Sequence, residues 1–285
     1  MNKKLTIGDY IIAIILALLA AVMLYPLLNL IAVSLSSRAA YIRNPMMLIP
    51  HEITFSAYGL VAENKLFLSS YGNTIIITLL GTVISMALTA TMAFPLSEQG
   101  FKGKGWIMPI YLFTMFFGGG MIPSYYLVES LGLLDSLWAL MIPGALSVYN
   151  AVLMKNSFEG LPISLKESAR IDGANDLVVF TRIALPLSLP IIATLTLFYA
   201  VGQWNSYFSA ILYIQDRGKW TLQLYLREII ANTVSLVDDG TKDETMPIAS
   251  IRYASLVWAT VPILCIYPFI QKYFIKGMMV GAVKG

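Results

Sequence analysis

The stretch Phe158–Pro190, FEGLPISLKESARIDGANDLVVFTRIALPLSLP, is a charged, turn-rich interruption between long apolar runs of this chain. Ser164 stands three residues before Glu167, which is the spacing of a capping box, so we predict a short helix capped by Ser164. Gly173 is placed to end that helix, and Asn175 to cap a second short helix. A helix–turn–helix that is too polar to enter a bilayer, held between two apolar runs, indicates a docking element.

The first helix of this stretch has a face of small and apolar side chains. Leu165 and Ala169 lie four residues apart on that face, with Ser168 beside them. Small side chains of this kind allow a helix to pack closely against a partner. Glu167 also has a plainer interpretation, because its carboxylate can close the capping box or pair with Arg170 three residues further on.

The spacing of these residues resembles the EAA loop of bacterial ABC importer permeases. That pattern is Glu-Ala-Ala, three residues, Gly, nine residues and Ile-x-Leu-Pro, and this chain departs from it only by Ser168 in place of the second Ala. In that family the loop is the coupling helix, which sits in a cleft of the cytoplasmic ATPase. The resemblance implies a coupling loop over residues 158–186 in which the following residues contact the ATPase: Glu167, Ser168, Ala169, Asp172, Gly173, Leu185 and Pro186.

Composition places the chain in a membrane. It is 58% hydrophobic and only 12% charged, with a mean hydropathy of +0.73, whereas soluble domains carry about 25% charged residues. A net charge of +3 is no sign of nucleic-acid binding. Cys265 and His51 are the only cysteine and the only histidine. The chain therefore has no internal disulfide, no Cys/His metal spacing and no histidine-based triad of its own.

Six apolar runs are long enough to be predicted as membrane spans. We expect a bend near Pro26 in the first span, and a break at Gly118–Gly120 and Pro123 in the third. A polar extracytoplasmic loop covers residues 216–247, and a C-terminal tail covers residues 271–285. The predicted spans lie at about 10–33, 72–95, 106–128, 137–154, 187–214 and 248–270.

The distribution of positive charge predicts the orientation. With the N-terminus inside, most of the 19 lysines and arginines fall in inner segments, as the positive-inside rule requires. An even number of spans then places both termini, the coupling loop and the tail in the cytoplasm. The fold predicted is a single all-α transmembrane domain, and the resemblance implies the type I, MetI-like importer permease fold in a bacterial cytoplasmic membrane.

The chain lacks a nucleotide-binding motif. The segment 100–105, GFKGKG, has glycines and lysines, but it lacks the P-loop spacing and a preceding strand. We therefore expect no cofactor in this chain, with ATP and Mg²⁺ bound by a separate ATPase subunit.

Other stretches narrow the resemblance to carbohydrate-uptake permeases, on the side of the smaller membrane subunit of the maltose-type importer. In those proteins the C-terminal tail reaches the interface of the ATPase dimer, which implies that role for Lys276, Gly277, Gly281 and Lys284. Asn73-Thr74 resembles the N-T/S of the family's second helix. The triple glycine followed by Ile122-Pro123 resembles the subgroup that takes complex or uronate-containing oligosaccharides.

Several residues are candidates for the substrate pathway. Gln203-Trp204-Asn205 with Tyr207-Phe208 resembles the W-N-x-[FY]-F stretch of the family's fifth helix. Of these, Gln203, Trp204, Asn205 and Tyr207 are the pathway candidates, because aromatic faces and amides suit sugar rings. They equally suit helix–helix packing, where Asn forms hydrogen bonds across a bundle. Arg252 would suit an acidic sugar, although a long side chain near a helix end also reaches the membrane interface without any ligand.

These observations predict a non-catalytic permease subunit of an ATP-driven, binding-protein-dependent oligosaccharide importer. The implied partners are a second homologous permease, two cytoplasmic ATPase subunits, an extracytoplasmic solute-binding protein and an oligosaccharide. The alternatives are an ion-coupled secondary transporter, which would need ionisable groups near the middle of the membrane, and a channel subunit, which would need no ATPase-docking loop. A membrane-embedded enzyme would need a catalytic cluster, and the scattered carboxylates form none.

Overall fold

The computed structural model describes residues 7–231 and 249–265, which form helices joined by short turns and loops. Helices suit so apolar a chain, because a helix pairs its own backbone N–H and C=O groups where no water is available. Within the described residues, strand-like pairing is limited to one isolated bridge between Ser36 and Ile53. The predicted all-α class is confirmed.

The described residues form fifteen α-helices and two turns of other helix types. These are a π-helical turn at Phe180–Ala184 and a 3-10 turn at Arg217–Lys219. The helices in chain order are α1 Ile7–Ser34, α2 Arg38–Arg43, α3 Ser56–Glu63, α4 Lys65–Ser97, α5 Lys104–Phe116, α6 Met121–Ser130, α7 Trp138–Met141, α8 Val148–Glu159, α9 Ile163–Ile171, α10 Asp176–Val179, α11 Leu185–Leu187, α12 Leu189–Trp204, α13 Phe208–Tyr213, α14 Leu222–Ala231 and α15 Ala249–Cys265.

Two of the described helices, α1 and α4, are long and apolar enough to cross a membrane on their own. The number rises to four if each of two sharply bent helix pairs counts as one span. Pro26 lies inside α1, which continues on both sides of it. The expected total of six spans and the cytoplasmic position of both termini stay predictions.

The break expected in the third span is confirmed. Helices α5 and α6 meet at a bend of 116°. Gly120 precedes α6 with a φ of 86°, a conformation that glycine adopts without the steric cost that a Cβ would bring. The glycine run therefore separates two helices.

The fourth span, predicted at about 137–154, is not one unbroken helix. The structure has the single turn α7 and then α8, which begins only at Val148. Pro143 and Gly144 lie between them, and both residue types disfavour a helix interior. Ser147 then caps α8, with its hydroxyl accepting a hydrogen bond of 3.3 Å from the Asn150 N–H. The Pro-Gly pair and this cap were visible in the sequence and were missed.

The fifth apolar run is also divided. Helix α12 ends at Trp204, and α13 begins at Phe208. On its other side, α12 meets the helical segment Asp176–Leu187 at an angle of 82°. Ser188 stands at this corner, with its N–H bonded to the carbonyl oxygens of Ala184 and Leu185 at 3.1 Å each.

The described residues divide into two compact units. The first holds α1 to α3 and most of α15, the second holds α5 to α13 and the end of α15, and α4 and α14 contribute to both. In the first unit, the Asn29 side-chain amide donates to the carbonyl oxygens of Pro45 and Met47 at 2.9 Å each. This unit packs its own core around four buried residues: Ala32, Val33, Ala40 and Met47.

The second unit has two buried clusters. The first, called here the loop-side core, comprises Ala90, Ala93, Phe94, Met154, Phe158, Val179, Ala184 and Leu195. The second comprises Ile77, Val128, Ala139, Leu140, Met141, Ala210, Tyr213, Ile214 and Leu224. The loop-side core joins α4, α8 and α12 to the segment that the sequence marks as a docking element.

Asp135 holds together the loops next to the second cluster. Its Oδ1 accepts hydrogen bonds from the N–H groups of Gln215 and Asp216 at 3.0 and 2.9 Å. Its Oδ2 accepts one from Lys219 Nζ at 2.8 Å. The Lys219 hydrogen bond and the backbone donors lower the pKa of Asp135 to about 2. Asn73 reinforces the same region, because its amide donates to the carbonyl oxygen of Gly218 at 2.9 Å.

We expect Asp135→Asn to lower the melting temperature of the detergent-purified protein by an amount that is constant between about pH 8 and about pH 5. The folded-state pKa of Asp135 lies below the ordinary value of 3.8, at about 2. A depressed carboxyl pKa gives stability that is fully present above the ordinary value and is lost as the pH falls through the folded value.

The matched control is Glu63→Gln, which neutralises an exposed carboxylate on α3. It should leave the melting temperature unchanged at both pH values. A difference between wild type and Asp135→Asn that shrinks between pH 8 and pH 5 would contradict the assigned pKa.

Candidate functional site: the loop between α8 and α12

Helix α9 lies at the centre of the candidate site and begins earlier than the sequence predicted. Pro162 occupies the position before its first residue, Ile163, and no side chain caps the helix there. Ser164 is therefore inside the first turn, and its predicted capping role is wrong. The fixed φ of proline suits a helix start, and its missing N–H costs nothing there.

The end of α9 is built as predicted. Gly173 has a φ of 83°, its N–H donates to the Arg170 carbonyl at 3.1 Å, and the Ala174 N–H donates to the Ala169 carbonyl at 2.9 Å. These two bonds form a Schellman motif, which requires a left-handed residue at the position of Gly173. Asp172 is exposed immediately before this turn.

The second short helix begins as predicted and continues further. The Asn175 side-chain oxygen accepts a hydrogen bond of 2.9 Å from the Val178 N–H. The predicted end near Ala184 is instead a π-helical turn that leads into α11. Leu185 packs against the loop-side core, and Pro186 lines an open apolar groove together with Met86 and Leu189.

The two faces of α9 differ in chemistry. Ile163, Glu167 and Ile171 recur every fourth residue on the outward face, and all three are exposed, Ile171 by 85%. Ala169 is part-buried against the loop-side core, on the opposite face. Leu165, predicted to share a docking face with Ala169, is exposed. The small side chain of Ala169 thus allows α9 to approach its own chain.

Glu98 holds the inward face of α9. It follows the last residue of α4, and its two carboxylate oxygens accept hydrogen bonds of 2.7 Å each from Lys166 Nζ and from the Arg170 guanidinium. Arg170 also donates to Asp176 at 3.0 Å. The Glu167–Arg170 pair considered from the sequence is absent among the described contacts, because Arg170 is engaged elsewhere. Glu98 was missed, since a partner 68 residues from Lys166 leaves no local signal.

The electrostatics of Glu98 favour its ionised form. Burial raises the pKa of this carboxyl, but hydrogen bonds from Lys166 and Arg170 and their positive charges outweigh that effect and lower the pKa below its ordinary value. Lys166 itself is buried, donates to the Phe158 carbonyl at 3.2 Å and lies 5.9 Å from the centre of the Phe94 ring.

A second ion-pair group joins α5 to α8. Glu159 accepts hydrogen bonds from Lys104 at 2.6 Å and from Lys155 at 2.7 Å. Between this group and Glu98 lies a small cleft of about 220 Å³. Glu167 also lines the cleft, at its α9 side. The loop thus presents a polar cleft beside the exposed apolar residues of α9.

A separate, larger cleft of about 530 Å³ lies among α6, α7, α8, α12 and α13. None of the described side chains that line it is charged. The Tyr199 hydroxyl accepts a hydrogen bond from the Ser147 N–H at 3.1 Å, and it forms a second hydrogen bond of 2.6 Å with the Thr89 hydroxyl. We call it the polar cleft, and its lining residues are Ser124, Ala139, Leu140, Pro143, Gly144, Ser147, Asn150, Phe198, Tyr199, Gly202, Gln203, Ser206, Ser209 and Tyr213.

The structure separates the residues predicted for the substrate pathway. Gln203 lines the polar cleft. Trp204 is buried, and its ring packs edge-on against the ring of Tyr71 with 6.0 Å between the ring centres. This contact favours the packing interpretation for Trp204. The Asn205 amide donates to the Val201 carbonyl at 2.9 Å, so it closes the end of α12.

Of the remaining two pathway candidates, Tyr207 is not among the residues that line the polar cleft. Tyr207 is exposed between α12 and α13. Arg252 lies on α15, in the other compact unit, and is part-buried there. Tyr199 and Asn150, which do line the cleft, were missed because neither belongs to a recognisable motif. The predicted tail residues Lys276, Gly277, Gly281 and Lys284 lie outside the described residues.

Comparison with known proteins identifies the family. Residues 84–280 match the family described as the binding-protein-dependent transport system inner membrane component. Protein LplC of Bacillus subtilis is 45% identical over 93% of this chain and 90% of its own length. The polygalacturonan/rhamnogalacturonan transport system permease protein YtcP of the same organism is 41% identical over 97% of this chain and 98% of its own length.

A solved structure has the same fold. One chain of a bacterial ABC transporter involved in the import of the acidic polysaccharide alginate superposes with a TM-score of 0.86 and 35% identity, covering 96% of this chain and 100% of that one. The MetI-like permease fold is thereby established. This chain belongs to the family of inner-membrane components of binding-protein-dependent transport systems.

Proposed function

We propose that the chain is one of two permease subunits of an ATP-driven importer of oligosaccharides in a bacterial cytoplasmic membrane. The observation that carries this proposal is the exposed face of α9. Ile163 and Ile171 are exposed on either side of Glu167, on a helix that is otherwise fixed to the chain's own core. An exposed apolar surface with a polar residue at its centre favours a protein partner.

The proposed partner at this surface is a cytoplasmic ATPase subunit that carries ATP and Mg²⁺. Glu167, Ser168 and Asp172 are exposed and accessible to it, whereas Ala169 and Leu185 act by holding the loop against the chain's own core. Gly173 fixes the direction in which the chain leaves α9. Closure of an ATPase dimer would displace α9, and the spans connected to it would follow.

A substrate of the oligosaccharide class is supported by the relatives and by the polar cleft. One relative is named for polygalacturonan and rhamnogalacturonan transport, and the structural neighbour takes part in alginate import. Side-chain amides of Asn150 and Gln203, the hydroxyl of Tyr199 and several serines line the polar cleft. These groups donate and accept hydrogen bonds in the way that sugar hydroxyls require. A second permease would supply the opposite wall, and a solute-binding protein would deliver the sugar.

The first test is co-purification of the tagged chain with its neighbouring permease and the ATPase, as wild type and as Ile171→Asp. Placing a charge on the exposed face of α9 should lower the yield of bound ATPase about tenfold or more, which corresponds to a loss of ~1.4 kcal/mol in binding. Ile42→Asp is the matched control, because Ile42 is an exposed isoleucine on α2. Absence of ATPase from the wild-type complex in mild detergent would overturn the proposed function.

The second test concerns the turn after α9. Gly173→Ala should destabilise the turn by ~1–2 kcal/mol, because a Cβ is disfavoured at a positive φ. Gly173→Pro should have a larger effect, since it also removes the N–H that donates to Arg170. We expect Gly173→Pro to hydrolyse ATP without importing sugar while still inserting into the membrane.

Gly160→Ala is the control for the turn, because Gly160 has a φ of −74° and an added Cβ would make ordinary contacts of 3.5 Å. Normal uptake by Gly173→Pro, measured with labelled trigalacturonate in proteoliposomes, would show that the turn is not needed for coupling.

The third test fills the polar cleft. Gly202 lines this cleft, and an added Cβ would meet no atom within 4 Å. Gly202→Phe should therefore lower the rate of trigalacturonate uptake about tenfold or more, the equivalent of a transport barrier raised by ~1.4 kcal/mol, with the ATPase still bound. Gly72→Phe is the control, because Gly72 on α4 is equally unobstructed and does not line the cleft. Equal uptake by both variants would exclude the polar cleft as the pathway.

A further inference from the structure

Glu98 occupies a position that the family resemblance did not mark. It lies in the turn between α4 and α5, outside the loop of residues 158–186. Its side chain is only 17% exposed, and that of Lys166 is 7% exposed. The Glu98 carboxylate and the buried Lys166 ammonium are in direct contact at 2.7 Å, and removing either partner would leave the other charge largely buried and uncompensated.

Both oxygens of Glu98 are used by cations from the same helix. Lys166 and Arg170 are four residues apart, so they project from one face of α9, and each takes one oxygen. Two bonds from two successive turns of a helix fix its rotation as well as its position. A single pair would constrain the rotation of α9 less than these two bonds do.

The contacts of Glu167 are different. It is exposed, and no ion pair is formed by it within the part of the chain that the structure describes. The acidic residue of the EAA-like loop pattern, Glu167, is therefore outward, while the carboxylate that secures α9 inward comes from another segment. Securing α9 and contacting a partner are tasks of different residues.

We infer that Glu98 is a positioning residue that ties α9 to the end of α4, so that a displacement of α9 is transmitted to α4. This inference rests on the proposed function and adds a route by which the movement reaches the membrane. Arg170 extends the link to α10 through Asp176 at 3.0 Å. Glu98, through Arg170, therefore connects the end of α4 to the start of the segment that leads into α12.

The test uses the full complex with its second permease, ATPase and binding protein in proteoliposomes, with trigalacturonate as the probe. Glu98→Gln keeps the shape of the side chain and removes its charge. We expect the number of ATP molecules hydrolysed per sugar imported to rise about 5-fold or more, the lower end of couplings between distant sites. Glu52→Gln is the matched control, because Glu52 also pairs with an arginine, Arg43, but is exposed.

A double variant separates positioning from stability. Glu98→Gln alone leaves Lys166 buried without a counter-charge, which lowers the melting temperature of the complex. Adding Lys166→Met replaces the pair by uncharged groups, and this should restore the melting temperature. If Glu98 positions α9, the ATP-to-sugar ratio stays high in the double variant, because the link to α4 is still missing.

Two outcomes would overturn the inference. One is an unchanged ATP-to-sugar ratio in Glu98→Gln, and the other is a ratio that returns to normal together with the melting temperature in the double variant. The second would show that Glu98 acts only through folding. A wild-type complex that imports no probe, with or without a bound ATPase, instead concerns the proposed function and its substrate, so the two failures remain distinguishable.

Discussion

The buried ammonium of Lys166 constrains the whole loop between α8 and α12. An ionised group held away from water requires a counter-charge, and Glu98 supplies it at 2.7 Å. Replacing such pairs by apolar groups often leaves stability unchanged, so their presence says more about geometry than about stability. In this loop, the ion pairs fix the orientation of α9 about its own axis, so that Ile163, Glu167 and Ile171 are outward. The loop-side core and the turn at Gly173 are arranged around that choice.

The local features of the loop were predictable because each depends on neighbours in the sequence. A left-handed glycine after a helix and an asparagine before the next one need only a few residues to specify them, and both were found at Gly173 and Asn175. The break at Gly118–Gly120 has the same origin. The comparisons confirm the family that the spacing indicated. The roles of individual loop residues in contacting an ATPase stay predictions.

What the sequence did not predict depends on distance along the chain or on competition between local signals. Glu98 and Lys166 are 68 residues apart, and no periodicity relates them. Ser164 lost its capping role because Pro162 starts the helix earlier. The fourth apolar run has the hydropathy of a span, although Pro143 and Gly144 interrupt its helix. Trp204 and Gln203 are adjacent in the sequence, yet one is buried against Tyr71 and the other lines the polar cleft.

The corner at Ser188 has a mechanical consequence. The segment Asp176–Leu187 and helix α12 meet at 82°, close to a right angle, and the 16 residues of α12 make an arm of about 24 Å. If the angle between the two segments is kept, a displacement along the first segment becomes a sideways movement of the far end of α12. A rotation of this corner by 5° would move the far end of α12, where Gln203 lies, by about 2 Å. That is more than the radius of a water molecule, so a small rotation at the loop is enough to change the width of the polar cleft.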